Sequence, residues 1–253
     1  MKSIKEIREI FQAACLEELP EFINIYSEDE REGVRKIAVA AQKKLDALEK
    51  EKQRIEKLKF YENKYSDYEL ICGIDEVGRG PLAGPVVAGA VILPGNCDIL
   101  YINDSKQLSE KKREELYEVI SEKALACAVG SASPQRIDEI NILQATYEAM
   151  REAVSRLPIK PNLLLNDAVT IPGVEIRQIP IIKGDAKSIS IGAASIYAKV
   201  TRDRLMCEYD KVFPEYGFAN NKGYGSAAHI EALKKYGPTP IHRRSFIKNF
   251  VDI

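Results

Sequence analysis

Asp75 and Glu76 stand side by side after the apolar run Ile71-Cys72-Gly73-Ile74 and just before Gly78-Arg79-Gly80. Two more acids hold the same kind of place: Asp167 follows Leu163-Leu164-Leu165-Asn166, and Asp185 follows the run IPIIKG. In a sheet covered by helices, side chains at strand ends can share a crevice. Like charges gathered there repel unless something positive lies among them. The chain has only two histidines, His229 and His242, so the natural counter-charge is a hard divalent cation held by oxygen ligands. Taken singly, each Asp could merely cap a turn or helix; taken together, with Glu76 adjacent, they point to a site. Neighbouring residues of a regular strand face opposite ways. Asp75 and Glu76 can therefore serve one crevice only if the strand bends or ends between them, and the glycines at 78 and 80 make such an exit plausible.

The chain carries its own control. Ile137-Asp138-Glu139 repeats the Ile-Asp-Glu triplet, but it follows Pro134 and opens a helical stripe, where acids favour the helix dipole, so this copy is assigned to structure. Around Gly78-Arg79-Gly80, backbone N–H groups could approach a hydroxyl or phosphate without side chains in the way, and the arginine could fork onto phosphate oxygens. A plain tight turn is the competing reading. Asp104-Ser105-Lys106, just before the capping residue Ser109, could likewise hold phosphate or simply fix a turn.

The elements that must position these groups read as short apolar runs separated by turns: LICGI, PVVAGAVIL, ALACAVGSA, NLLL and VEIRQIPII. Helical patterns lie between them at 109–123, about 135–156 and about 190–209, which suggests a mixed sheet flanked by helices. The first 68 residues are different in texture. Ser3 with Glu6 and Ser27 with Glu30 each match a capping box, and Val34, Ile37, Ala38, Ala41, Leu45 and Leu48 form one apolar stripe on a charged helix expected to reach about Lys64. This gives a helical extension over 1–68, with the main domain over 69–253. At 253 residues, 45% hydrophobic and 30% charged, the composition is that of an ordinary globular protein, with no apolar run long enough to span a bilayer and no signal-peptide pattern. A cytoplasmic location without membrane partners is expected, as is a monomer. Five scattered cysteines suggest neither disulfides nor a zinc site. Net charge is -1, yet residues 181–253 hold twelve Lys and Arg against seven Asp and Glu. That basic third could line a phosphate groove or be an ordinary solvated surface.

The stretches GIDEVGRGPLAGPVVAGAVIL, NDSKQLSEKKREELYE, IDEINILQATYEAM, IIKGDAKSISIGAASIYAKVTRDRLM, FPEYGFANNKGYGS and HRRSF, in this order, resemble bacterial ribonuclease HII over about residues 70–246. The resemblance implies an α/β, RNase H-like mixed sheet flanked by helices, with a small helical N-terminal domain. It also implies hydrolysis of the RNA strand of RNA-DNA hybrids, and cutting on the 5′ side of single ribonucleotides embedded in duplex DNA, leaving 5′-phosphate and 3′-hydroxyl ends. By motif, the metal-binding acids are Asp75, Glu76, Asp167 and Asp185, holding two Mn2+ or Mg2+ ions. Gly78, Arg79 and Gly80 would contact the ribonucleotide, Tyr224 would sense the RNA-DNA junction, and Ser105, Lys106, Ser195 and Lys199 are substrate-phosphate candidates. The sequence departs from many members at Asn166 and Ala168, where an apolar residue and a glycine are usual. Contact with the hybrid is the expected role of the extension. Ribonuclease HIII, whose glycine-rich turn lacks an arginine between two glycines, and an inactive hybrid-binding protein are the alternatives; Arg79 and the four acids argue against them.

Overall fold

A computed structural model describes residues 2–251, and the chain falls into two compact units divided between Glu56 and Lys57. In the smaller unit, α1 (Ile4–Ala13) begins with a complete capping box, Ser3 Oγ accepting from Glu6 N–H and Glu6 returning the bond to Ser3 N–H. The second expected box does not form. Ser27 keeps helical angles as the C-cap that follows α2 (Leu19–Tyr26), and the turn into α3 (Glu32–Leu58) is built by Asp29, which accepts from the backbone and side chain of Arg31. The long charged helix breaks at Lys59, and a short α4 (Phe60–Lys64) follows.

Residues 57–68 belong with the larger unit. Tyr61, Tyr65 and Tyr68 pack on Leu163, Leu165, Ile181 and Ile191, so aromatic burial ties them to the sheet. The five apolar runs form five strands, β1 (Ile71–Val77), β2 (Val86–Ile92), β3 (Ala126–Ala132), β4 (Leu163–Asp167) and β5 (Arg177–Ile181), in the order β3-β2-β1-β4-β5. The β3-β2-β1 pairings are antiparallel and the β1-β4-β5 pairings parallel. The sheet is therefore mixed: a short link joins β1 to β2, α5 lies between β2 and β3, α6 between β3 and β4, and residues 168–176 carry β4 to β5 without a helix.

Helix α5 (Glu110–Lys123) starts at the Ser109 cap, α6 (Pro134–Ser155) at Ser133 and α7 (Ile189–Val212) at Ser188. A core of Cys72, Ile74, Val86, Ala88, Ala90 and Ile92 meets Ala145, Ala149, Met150 and Ala153 of α6. Helix α7 lies directly against β1 and β2. The approach is close enough that a Cβ at Gly73 would stand 2.0 Å from the Ser190 carbonyl carbon, and one at Gly89 2.5 Å from the Ala194 oxygen. Only glycine admits the helix backbone this near the strand that carries Asp75. The C-terminal part adds α8 (Phe218–Asn221), α9 (Ala227–Tyr236) and α10 (Arg244–Ile247), packed through Phe218, Leu233, Ile241 and Ile247 on Leu82, Ala83 and Met206.

Candidate active site

Strand β1 does not end between Asp75 and Glu76. It runs on to Val77, pairing Asp75 with Gly89 and Glu76 with Ala88. What ends is its other partnership: β1 and β4 stay paired only as far as Ile74 and Asn166. Beyond that point the two strands part, with Asp75 on one lip and Asp167 on the other. A crevice opening along a strand edge, not across one face, can be reached by two consecutive side chains despite their opposite directions.

Electrostatics place the acids within reach of one another. Asp75 is 6% exposed. Burial, then the charges of Glu76 and Asp167, push its carboxyl well above the usual range, against the pull of hydrogen bonds from Ser195 and from Glu76 N–H at 2.8 Å. Glu76 is raised by burial and by Asp167, and is held down by Arg79 at 3.2 Å and by Lys106. Asp185, in the turn Gly184–Ala186, is raised by burial and by Asp104 and Asp167, again opposed by Lys106. Asp167 is the shared neighbour of all three, and its Oδ1 accepts from Gly184 N–H at 2.7 Å, linking the end of β4 to the turn of Asp185.

The other candidates divide. Ser105 and Ser195 are buried and share a hydrogen bond of 2.9 Å, so they continue the network from Asp75 inward. Lys106 is exposed and is the lysine whose charge bears on Glu76 and Asp185. Lys199 instead pairs with Asp203 at 2.7 Å, within a group that includes Arg113.

Gly78 has φ +88°, and Gly80 is exposed, with Tyr224 Cε1 as the nearest atom, 3.9 Å from where its Cβ would be. The Gly-Arg-Gly turn and Tyr224, 144 positions apart in the numbering of the chain, thus form one surface. Two buried arginines hold that surface in place, and the local sequence does not announce either. Arg243 donates to the carbonyls of Gly84 at 3.0 Å and Arg79 at 2.8 Å and to that of Gly78, while Arg202 donates to those of Pro85, Lys222 and Ala83. Among the described residues, the N–H groups of Arg79 and Gly80 donate to no protein group, so the turn presents donors outward while its carbonyls are tied inward. Asp138, the acid of the control triplet, accepts from Arg244 N–H and Ser245 N–H, and so anchors the segment carrying Arg243.

The profile of the family described as Ribonuclease HII matches residues 72–249, a span that contains all four acids, the Gly-Arg-Gly turn, Tyr224 and Arg243. The chain belongs to the ribonuclease HII family. A profile of the ribonuclease HII N-terminal domain matches residues 3–66. The ribonuclease HII of Lachnoclostridium phytofermentans is 69% identical over 227 residues, covering 90% of this chain and 89% of that one. That of Clostridioides difficile is 53% identical over 252 residues, covering 99% of each. The crystal structure of ribonuclease H2 from Pyrococcus horikoshii matches with a TM-score of 0.59 at 33% identity, covering 70% of this chain and 93% of that one. The activity is accordingly that of ribonuclease HII, a type 2 ribonuclease H endoribonuclease, and such enzymes use divalent metal.

The donor set of this ribonuclease HII fits a hard divalent ion: the carboxyls of Asp75, Glu76 and Asp185 are raised by burial and by the charge of Asp167, with Lys106 and the half-exposed Arg79 as the opposing cations. Among the described residues, no three acidic, histidine or cysteine side chains already stand gathered as ligands. Glu76 is engaged by Arg79 through Oε1, and Asp167 by Gly184 N–H through Oδ1, which leaves the second oxygen of each free of those two bonds.

The departure beside Asp167 has a clear geometry. Asn166 is fully buried and donates to Gln178 Oε1 at 2.8 Å, leaving its own Oδ1 without a partner among the described residues. Ala168 has φ +57°, the left-handed region in which glycine is at ease and alanine is strained. Ala168 is exposed, so Ala168→Gly removes strain without emptying a packed site. It is expected to raise stability by roughly 0.5–1 kcal/mol, read as a higher urea midpoint at unchanged slope; a lower midpoint would contradict the strain.

Proposed function

We propose that Asp75, Glu76, Asp167 and Asp185 hold two Mg2+ or Mn2+ ions at the parting of β1 and β4, and that the enzyme cuts the RNA strand of RNA-DNA hybrids there. We further propose that it cuts on the 5′ side of a single ribonucleotide in duplex DNA, leaving 5′-phosphate and 3′-hydroxyl ends. The observation that carries this reading is the effect of Asp167 on the carboxyls of Asp75, Glu76 and Asp185, which come from separate elements, beside a turn whose N–H groups donate to no protein group among the described residues and adjoin Tyr224. When bound, such ions supply an activated water and stabilise the charge that builds on the leaving oxygen.

The chain's own groups do the rest. Asp75, the most buried of the four, is oriented by Ser195 and by Glu76 N–H and would hold the ions together with the other three acids. Asp167 ties its lip to the turn of Asp185, so the two acids are set together. Arg79 and Gly80 N–H groups read the 2′-hydroxyl, the group that distinguishes RNA from DNA. Tyr224 stacks on the sugar of the adjoining deoxynucleotide, and Lys106 faces the scissile phosphate. Ser105 and Ser195, both buried, support Asp75, and Lys199 takes a phosphate farther along the strand only by leaving Asp203.

The test uses a duplex with one embedded ribonucleotide and a long hybrid, each with and without Mg2+ or Mn2+, and maps the ends. Metal-dependent cutting on the 5′ side of the ribonucleotide is expected, and cutting on its 3′ side or in plain DNA would refute the reading. Tyr224→Ala should lower kcat/KM on the single ribonucleotide by about tenfold or more and on the hybrid much less. Equal losses would remove the junction role.

A further inference from the structure

The two histidines lie outside the acid cluster, yet their imidazoles meet each other directly. His229 and His242 are buried, at 0% and 2% exposure, and their Nε2 atoms are 3.0 Å apart. His229 Nδ1 is 2.8 Å from the carbonyl oxygen of Tyr224. His242 Nδ1 lies 2.9 Å from Thr239 N–H and 2.8 Å from the Thr239 hydroxyl. Tyr216 and Phe218 close the box, with ring centroids 5.1 Å from His242 and 5.3 Å from His229.

The two ends of this chain of bonds determine everything between them. A backbone N–H can only donate, so His242 Nδ1 accepts from Thr239 and the His242 proton sits on Nε2. That proton points at His229 Nε2, which must accept it, leaving the His229 proton on Nδ1. Nδ1–H then donates to the Tyr224 carbonyl, which can only accept. A second proton on either ring would oppose two N–H groups at one of these contacts. The pair is therefore neutral and has a single polarity, and burial in the aromatic box holds both rings below the ordinary imidazole range.

Both histidines are tied to the surface that reads the substrate. His229 belongs to α9, and its bond fixes the backbone of Tyr224, whose ring lies beside Gly80. His242 precedes Arg243, which holds the carbonyls of Gly78 and Arg79, and the His242 backbone bridges Ala83 in the same loop. The link runs from Thr239 through His242 and His229 to the Tyr224 carbonyl, and its tie to the Gly-Arg-Gly turn passes through Arg243, the residue next to His242.

We propose that the His229–His242 pair is a positioning device for substrate selection, setting Tyr224 against the Gly-Arg-Gly turn through one directional hydrogen-bonded chain. The inference rests on the junction role given to Tyr224 above. Neither histidine touches the acids or the reacting atoms, so losing the link should alter which substrate is cut more than how fast a cut is made.

The test compares His229→Phe, which fills the box without a hydrogen bond, and His229→Gln, whose amide can both accept from His242 and donate to Tyr224. For His229→Phe, kcat/KM on a single embedded ribonucleotide should fall by about tenfold, with the long hybrid changed by no more than about threefold; His229→Gln should recover most of the loss. Adding His229→Phe to Tyr224→Ala should cost nothing further on the single ribonucleotide, because the ring it positions is gone. If Tyr224→Ala is selective but His229→Phe is not, the positioning role fails while the junction reading stands. If Tyr224→Ala itself lowers both substrates equally, the junction reading has failed. Nitrogen-15 NMR of the imidazoles in the unaltered protein gives a readout independent of how the variants fold. It should show His229 protonated at Nδ1 and His242 at Nε2 at neutral pH, and any other pairing of tautomers, or a charged ring, overturns the proposal.

Discussion

Asp75→Asn should reduce cleavage of the embedded ribonucleotide by roughly a thousandfold or more and at the same time raise the melting temperature. The two effects share one cause. Asp75 is 6% exposed and is raised by the charges of Glu76 and Asp167, so its negative charge opposes folding in the metal-free protein, and in the proposed role a bound ion would offset it. Asparagine has the same shape and keeps an oxygen to accept from Glu76 N–H, so the strand is undisturbed. Removing a repelling buried charge is worth on the order of 1–2 kcal/mol, or about 3–6 °C for a chain of this size. Hybrid binding, measured by fluorescence anisotropy, should survive within a few-fold, because the turn, Tyr224 and Lys106 are untouched.

The pH dependence follows with a definite sign. Asp75, Glu76 and Asp185 all have native carboxyls raised above their unfolded values. Their contribution to stability is present at low pH and is lost as pH rises through the raised native range. Asp75→Asn should flatten that part of the profile. Full activity in the variant would end the assignment of Asp75, and a lowered melting temperature would show that its charge is not opposed by its neighbours.

Arg243→Met should be the most damaging single change away from the acids. The guanidinium is fully buried with no carboxylate bonded to it among the described residues, and burial, with the nearby charge of Arg202, brings it down to about 9, still charged at neutral pH. Its acceptors are the carbonyls of Gly78, Arg79 and Gly84. Methionine fills the space but leaves three carbonyls unanswered, at about 1–3 kcal/mol each, partly offset by no longer burying a charge. A net loss of about 3–5 kcal/mol is expected from the urea midpoint. In the fraction that remains folded, the Gly-Arg-Gly turn should lose its register and cutting at a single ribonucleotide should fall further than cutting of a hybrid. Arg243→Lys should rescue little, since one ammonium cannot fork to three carbonyls. A midpoint unchanged from that of the unaltered protein would show that the arginine is not what holds the turn.

Strand positions were easy to read because each apolar run was bounded by Gly, Pro, Asn or Asp; β2, β3 and β5 fall inside the runs expected, while β1 and β4 run on past theirs to Val77 and Asp167. The Ser3 cap was equally legible, since its partner lies three residues away. Ser27 misled because its motif is local while its conformation is set by α2, whose helical angles it keeps as the C-cap. The strand exit proposed between Asp75 and Glu76 misled for a related reason: continuity of β1 is decided by β2, and the opening beside it by where β4 turns away.

The acids and the glycine turn could be singled out from the chain alone, because metal chemistry and close backbone approach each demand particular residue types, whereas Tyr224 was named through the family resemblance. Arg202, Arg243 and the histidine link could not. An arginine bonded to backbone carbonyls up to 165 residues away has no local pattern, since any residue supplies a carbonyl and only folding selects which ones meet it. Residue chemistry is written one position at a time and so fixes what reaction is available. Which groups support that chemistry depends on distances between remote segments, and those exist only once the sheet, α7 and the C-terminal helices have packed.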